Sequence, residues 1–406
     1  MITGGLPMKY IERTDYLHFL IQHKDKQIIK VVSGIRRCGK STLFEIFKDY
    51  LLRHGVSKKQ IISINFEDIA YQGKTYVQIY LDIKSKLMEG RMTYVFLDEV
   101  QNCEHFEKMV DSLFIQPNID IYLTGSNAYF MSGELATLLS GRYVELKMLP
   151  LSFSEYVQGT DPSESLSKKY NNYITFSSFP YVLQYGSDFQ AVQDYLRGIY
   201  STILLKDIVQ RYQISDIMML ESVIRFVFDN IGSRFSANSI ARILTANGRT
   251  ANDKTVEKYL QALVDSLILY RVQRYNVKGK QLLKTQSKYY VADLGLRNLL
   301  VGIKGQDERH ILENIVYLEL LRRGYNVYIG QNDSNEIDFI ADKPNETLFI
   351  QVSLSLRNES TFEREITPLK ALNNSYPKII LTMDESPVKN EDGIQIKYVL
   401  DWLLGK

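Results

Sequence analysis

The 406-residue sequence is poor in cysteine: Cys38 and Cys103 are the only two, and their separation suggests neither a metal-ligand spacing nor a disulfide framework. A reducing compartment is the expected setting. Long apolar runs are missing as well. No stretch approaches the roughly 18–20 residues needed to cross a bilayer as a helix, and residues 1–10 lack the apolar core of a secretory signal. A soluble cytoplasmic protein with no membrane partner is therefore expected. Excess charge of either sign is absent too. Lys and Arg total 49 against 47 for Asp and Glu, a net charge of +2, which excludes a polyanion-coating field and confines any nucleic-acid surface to a local patch. With no low-complexity tract and no internal repeat of fixed period, the length suits two to four domains, each able to bury its own core.

What is present is order. After a polar helix ending near His23, the short apolar run Gln27 to Ser33 leads into a glycine-containing loop. Helical spacing of Leu43, Phe44, Phe47 and Leu51 follows over Ser41 to Leu52. Ile61 to Phe66, Tyr94 to Leu97, Ile119 to Thr124 and Val144 to Leu149 read as further short strands, the pattern of a parallel sheet covered on both faces. From Leu151 to about Met219 the pattern is helical and aromatic, with Asp194 to Tyr212 its clearest helix. Three helical segments, Glu221 to Ile231, Ser236 to Thr245 and Asp253 to Ser266, precede two strands at Ile268 to Tyr275 and Lys288 to Val291, which suggests a winged helix. Beyond a break at Gly302 to Gly305 comes a third, α/β module that opens on a helix over Arg309 to Arg323.

Residues 34 to 41 read Gly-Ile-Arg-Arg-Cys-Gly-Lys-Ser, a phosphate loop between strand and helix. Gly34 and Gly39 let the backbone curl until its N–H groups face phosphate oxygens. Ile35, Arg36, Arg37, Cys38 and Thr42 complete the expected cradle. Lys40 would reach the β- and γ-phosphates, and Ser41, at the start of the helix, would ligate Mg²⁺. Asp98 and Glu99 follow the apolar run Tyr94 to Leu97, so they fall at the carboxyl edge of the sheet, where open α/β folds bind ligands. Asp98 is the expected Mg²⁺ partner through water, and Glu99 the group that polarises the attacking water.

Thr124, Ser126 and Asn127 end the next strand, where a small polar side chain would bond the γ-phosphate or the water; turn chemistry around Gly125 is the competing explanation. Asn65, at another strand end, is read as a hold on Glu99 until a partner binds. Arg142 is the candidate transition-state arginine, in its own subunit or a neighbour's, with a structural ion pair as the alternative.

Gly-Ile-Arg-Arg-Cys-Gly-Lys-Ser-Thr-Leu, Phe-Leu-Asp-Glu-Val-Gln-Asn, Leu-Thr-Gly-Ser-Asn, Gly-Arg-Tyr-Val-Glu-Leu and Leu-Pro-Leu-Ser-Phe-Ser-Glu-Tyr together give the chain a resemblance. It resembles the prokaryotic AAA-type ATPases related to the archaeal ATPase family, fused to a C-terminal domain of unknown function. The likeness covers nearly the whole chain. It implies an α/β P-loop NTPase core with a parallel sheet and an extra catalytic glutamate, then a winged-helix domain, then a restriction-endonuclease-like α/β domain. The expected boundaries are 1–155 for the core, 156–219 for a helical lid or connector, 220–301 for the winged helix and 302–406 for the last domain.

In the winged-helix segment, Val256, Leu260, Leu263, Val264 and Leu267 make an apolar stripe that leaves Lys254, Glu257, Lys258 and Gln261 on other faces. Lys254 and Lys258 would face a DNA groove, with Arg271, Arg274, Lys278, Lys280, Lys284 and Lys288 contacting phosphates. Packing against the ATPase or a protein partner is the alternative. For the last domain the resemblance implies a metal site built from a helix glutamate, a hairpin aspartate and a Glu-x-Lys strand. This chain offers Glu313, Asp338, Gln351 and Ser353. Gln351 retains an amide oxygen for a metal, but Ser353 supplies no cation, so a degenerate site used for binding or oligomer contacts is expected. The overall expectation is a Mg²⁺-dependent ATPase with ATP, DNA through the winged-helix segment and a homo-oligomer as partners. Its rivals are a DNA-binding regulator that uses ATP as a ligand and an ATP-gated nuclease.

Overall fold

The computed structural model of the chain describes residues 11–126, 139, 141–333, 335–387 and 390–406. The chain divides into two units, Met1–Pro150 and Leu151–Lys406.

The first unit opens with helix α1 (Thr14–Gln22) and strand β1 (Ile29–Gly34), followed by α2 (Lys40–Arg53). Next come β2 (Ile61–Asn65), α3 (Tyr76–Ser85), β3 (Thr93–Asp98), α4 (Phe106–Phe114), β4 (Ile119–Ser126) and β5 (Tyr143–Met148). All five strands run parallel, in the order β2-β3-β4-β1-β5. Both faces are covered, which explains the continuous apolar runs: β1 and β3 are buried at every position. Ile64, Val95, Leu97, Ile121 and Leu123 pack on one face with Ile79 and Ile83 of α3 and Met109, Val110 and Leu113 of α4. On the other face Phe44 and Phe47 of α2 meet Phe96 and Tyr122, whose rings stack at 4.8 Å.

The second unit starts with α5 (Phe153–Gly159), α6 (Leu166–Thr175) and α7 (Phe189–Thr202). The single helix expected over 194–212 begins at Phe189 and widens after Thr202 into a π-helix over Ile203–Gln210, a winding that keeps Ile203, Leu204, Asp207 and Ile208 buried. Helices α8 (Ile217–Asp229), α9 (Ala237–Ala246) and α10 (Asp253–Asp265) follow, with the short strand β6 (Arg234–Phe235) between the first two. Ser236 and Ser239 form a capping box at α9, and Asn252 caps α10. Strands β7 (Leu269–Asn276) and β8 (Gln281–Val291) make the expected hairpin. Helix α11 (Leu294–Val301), not anticipated from the sequence, is buried from Leu294 to Asn298, so it shows no amphipathic alternation to read.

Helix α12 (Glu308–Arg322) is buried without a break from Ile311 to Leu320. Strands β9 (Asn326–Asn332), β10 (Asn335–Lys343) and β11 (Glu346–Ser353), helix α13 (Glu359–Lys370) and strand β12 (Lys378–Thr382) follow in an α/β order. Strands β13 (Asn390–Glu391) and β14 (Ile394–Tyr398) and helix α14 (Val399–Leu403) extend it. The described strands of this unit form one sheet of nine, ordered β13-β14-β12-β11-β10-β9-β7-β8-β6. The hairpin and the C-terminal strands join where β7 pairs parallel with β9, Arg274 opposite Ile329. The stretches read as connector, winged helix and last α/β module thus all lie in the second unit.

Candidate nucleotide site

Strand register assembles the site in the first unit. Gly34 pairs with Ser126 on one side and Met148 on the other, while Asn65 pairs with Asp98. All of these residues stand at the carboxyl edge of the sheet. Gly34 is obligatory there: a Cβ would fall 2.4 Å from the Met148 carbonyl oxygen and 2.9 Å from Cys38 Sγ. Arg37, exposed, takes a left-handed φ of 66°, and Gly39 follows at 104°. The loop thereby turns into the first helical turn of α2, which has no side-chain cap on its N–H groups. Ile35 and Cys38 are buried under the loop, and burial pushes the Cys38 thiol pKa up. Thr42 is half-buried in the first turn of α2, next to the buried Leu43.

Lys40 is 4% exposed. Its Nζ donates to the carbonyl oxygens of Gly34 at 3.1 Å and Ile35 at 3.4 Å, and lies 3.8 Å from Glu99 Oε1. Asp98 accepts hydrogen bonds from the Thr124 and Ser41 hydroxyls. Burial raises the Asp98 pKa from its ordinary value, and those hydroxyls act against the shift. Thr124 Oγ1 also accepts the Glu99 N–H at 2.9 Å. One fully buried hydroxyl therefore fixes both acidic residues.

The donor set suits a nucleotide phosphate with Mg²⁺. The loop is bent around a glycine with no room for a side chain, a lysine ammonium faces inward, and a serine hydroxyl already contacts the strand-end aspartate. Gly34, Ile35, Arg36, Arg37, Cys38, Gly39, Lys40, Ser41 and Thr42 form one continuous segment around it. Ser126 ends β4 opposite Gly34, and Asn127 lies outside the described residues.

Two expectations change. Asn65 was expected to hold Glu99, but its Nδ2 lies 3.4 Å from Asp98 Oδ2, and its Oδ1 accepts the Glu67 N–H at 2.8 Å. The register that pairs Asn65 with Asp98 sets this, and Glu99 turns away with a left-handed φ of 54°. The side chain that bonds Glu99 is Gln101, whose Nε2 donates to Oε2. The one-turn helix Val100–Asn102 brings it back; the signal available in the sequence was a glutamine two residues past the acidic pair. Arg142 is not brought to the loop within one chain. Its carbonyl accepts the Ile29 N–H at 2.9 Å, at the amino edge of β1, and its guanidinium sits 5.5 Å from the Phe114 ring centre. The six residues of β1 separate it from Gly34, about 17 Å at strand rise.

Arg13 carried no sequence signal. It is buried, and its guanidinium donates to the carbonyl oxygens of Cys38 at 3.1 Å, Leu149 at 2.7 Å and Pro150 at 3.4 Å. The phosphate loop is thus tied to the segment after β5.

In the second unit Glu313, Asp338 and Gln351 do come together. Gln351 Oε1 accepts the Asp338 N–H at 2.7 Å and its Nε2 donates to Glu365 at 3.2 Å, so the amide oxygen expected to face a metal is already engaged. Ser353, two residues along the same strand from Gln351, donates to the Ser355 carbonyl at 3.1 Å. Lys288, expected at a phosphate contact, is buried and pairs with Glu313 at 3.4 Å and Glu336 at 2.9 Å. Among the described residues no group of three or more His, Cys, Asp or Glu is arranged to hold a metal, and no helix is long and apolar enough to cross a membrane.

Known proteins match along the length of the chain. An AAA domain matches residues 26–157 and a domain of unknown function (DUF8612) residues 167–307. An uncharacterized protein of Haemophilus influenzae is 40% identical over 399 residues, covering 97% of this chain and 98% of its own length. An uncharacterized protein of Methanocaldococcus jannaschii is 29% identical over 386 residues, covering 88% and 82%. The solved Walker-type ATPase of Pyrococcus abyssi superposes with a TM-score of 0.51 at 16% identity, over 72% of this chain and 96% of that one. The shared feature is the fold.

Proposed function

Because the chain belongs to the same family as the Haemophilus influenzae relative and carries an AAA domain of P-loop ATPase fold, we propose that it hydrolyses ATP to ADP and phosphate in a Mg²⁺-dependent reaction. The observation that carries this reading is the convergence of Lys40, Ser41, Asp98, Glu99 and Thr124 at one sheet edge. The loop N–H groups and Lys40 would hold the phosphates. Ser41 and, through water, Asp98 would hold Mg²⁺, which when bound neutralises charge on the β- and γ-phosphate oxygens. Glu99 would accept the proton of the attacking water as its oxygen bonds the γ-phosphorus and the bond to the bridging oxygen breaks. Thr124 keeps Asp98 and Glu99 in fixed relation, so the metal and proton roles stay with separate carboxylates.

In this reading nucleotide turnover drives a switch or motor acting on a macromolecular partner. DNA is favoured by one observation: Arg242 on α9 and Lys254 and Lys258 on α10 are all exposed, and the two lysines stand one helical turn apart. Arg142 is retained only for a role across a subunit boundary in a homo-oligomer.

The test follows phosphate release and plasmid integrity together, in ATP and Mg²⁺. Lys40→Ala is expected to abolish nucleotide binding, and Glu99→Gln to keep binding while stopping turnover. Equal turnover in wild type and Glu99→Gln overturns the assignment of the base. Salt-sensitive duplex binding with little phosphate release favours a regulator, and Mg²⁺-dependent cutting lost in Asp338→Ala a nuclease.

A further inference from the structure

The second unit contains a charge cluster that the ATPase reading does not use. Three carboxylates from three elements converge on one guanidinium, that of Arg309 in the first turn of α12. Glu313 Oε1 lies 3.2 Å from its Nε, Asp338 Oδ1 3.5 Å from one terminal nitrogen and Glu365 Oε1 3.7 Å from the other. Each of these side chains is only 2–3% exposed.

The second oxygen of every carboxylate is anchored elsewhere. Glu313 Oε2 accepts from Tyr290 at 3.1 Å and Lys288 at 3.4 Å, Asp338 Oδ2 from the Val352 N–H at 2.9 Å, and Glu365 Oε2 from Gln351 at 3.2 Å. Glu313 Oε1 and Asp338 Oδ1 are thus left facing Arg309, whereas Glu365 Oε1 is shared with Arg364, whose Nε and one terminal nitrogen donate to it at 3.1 and 2.8 Å. Arranging like charges this closely out of water is costly unless a cation sits among them. A set of hard oxygen ligands ordinarily holds a divalent ion. Here the position is filled by the chain's own side chain, joined to α12 one turn before Glu313.

We propose that Arg309 is a built-in counter-ion standing where a divalent cation would otherwise bind, so that this module holds its buried acids together without a metal. Two features agree with it. Gln351 spends its amide bridging Asp338 to Glu365 and takes no part in charge neutralisation. Lys288 and Arg364 supply further positive charge from outside the triad, Lys288 on Glu313 and Arg364 on Glu365 at 2.8 Å. A planar guanidinium presents N–H donors on three nitrogens in a fixed fork and stays charged at every relevant pH.

The test measures Mn²⁺ binding to the full-length protein without nucleotide, by electron paramagnetic resonance, together with the melting temperature in rising Mn²⁺. Wild type is expected to bind no Mn²⁺ in this module. Arg309→Ala is expected to gain one site, at least about ten-fold tighter than any in wild type, and to be stabilised by the metal. Arg309→Lys should gain none. The gained site must vanish in Arg309→Ala/Asp338→Asn and survive in Arg309→Ala/Asp98→Asn, which distinguishes it from the phosphate loop. If Arg309→Ala is unfolded alone, recovery of its far-ultraviolet circular dichroism on adding Mn²⁺ supports the proposal. Wild-type binding that Asp338→Asn removes overturns it. So does a folded Arg309→Ala or Arg309→Gln with no new site, or an unfolded Arg309→Ala that Mn²⁺ does not rescue.

Discussion

Two side chains hold the carboxylate of the proposed base, one on each oxygen. Glu99 sits in a left-handed backbone conformation, with Lys40 at 3.8 Å on one oxygen and the Gln101 amide on the other. Deleting the amide frees the carboxylate to rotate while leaving the phosphate loop untouched. Gln101→Ala is accordingly expected to lower kcat about ten-fold with little change in KM, as steady-state phosphate release would show; an unchanged kcat removes Gln101 from the machinery. Asn65→Ala should act differently, because its contact is with Asp98: the Mg²⁺ concentration for half-maximal activity is expected to rise. Gly34, Lys40, Asp98 and Glu99 were legible because a phosphate loop and a strand-end acidic pair require those residue types at those positions. Gln101 and Arg13 were not, since one acts through a one-turn helix and the other through contacts 25 and 136 residues away in sequence.

Among elements, α11 shows how an unreadable segment can carry a structural load. Its N-cap Asp293, almost wholly buried, accepts from the Leu296 N–H at 2.8 Å and from Ser177 Oγ, Ser178 N and Ser178 Oγ at 2.7–2.9 Å. A Cβ on Gly295 would fall 1.9 Å from the Phe176 carbonyl, so the helix and the 176–178 segment touch backbone to backbone. Asn298 adds hydrogen bonds to the carbonyls of Ile174 and Thr175. Asp293→Ala leaves several buried donors without an acceptor and is expected to cost roughly 3–5 kcal/mol. Denaturant unfolding followed by the fluorescence of Trp402, the only tryptophan and buried in this unit, reads the loss; a change under about 0.5 kcal/mol would be typical of a surface site and would refute the latch. Helix α12 poses the same reading problem: Asn314 bonds both the N–H and the carbonyl of Val291 at 2.8 and 2.9 Å from inside a helix buried on every side.

Across the whole molecule, the two units differ in how they hold charge. The first buries Asp98 and Glu99 at a strand edge beside Lys40 and pairs Asp120 with one buried cation, Lys30, whereas the second neutralises Glu313, Glu336, Asp338 and Glu365 together with Lys288, Arg309, Arg234 and Arg364. Burial, with Glu313 alongside, raises the Asp338 pKa to about 6 from an ordinary 3.8, against Lys288 and Arg309. The folded state therefore holds a proton that the unfolded chain releases. This contribution to stability is complete below about pH 4 and is lost as pH rises through about 6. Trp402-detected stability of the second unit is expected to lose this part in Asp338→Asn, whose profile should be flatter between those values than that of wild type. Coincident profiles would show that Asp338 titrates as it does in the unfolded chain.

The sequence by itself determined the glycine-containing loop, the place of the acidic pair at a strand end, the parallel strands around them and the order of the three helices and two hairpin strands that follow. Each of these rests on local rules: a glycine where the backbone must curl, an apolar run where both faces of a strand are covered, a cap where a helix begins. Tertiary structure alone decided which acid Asn65 touches, where Arg142 stands, which glutamine bonds Glu99 and what neutralises Asp338. Those contacts depend on strand register, on the turn after β3 and on helices buried from all sides. There the partner of a charge is chosen by proximity in space, which residue type and spacing do not encode.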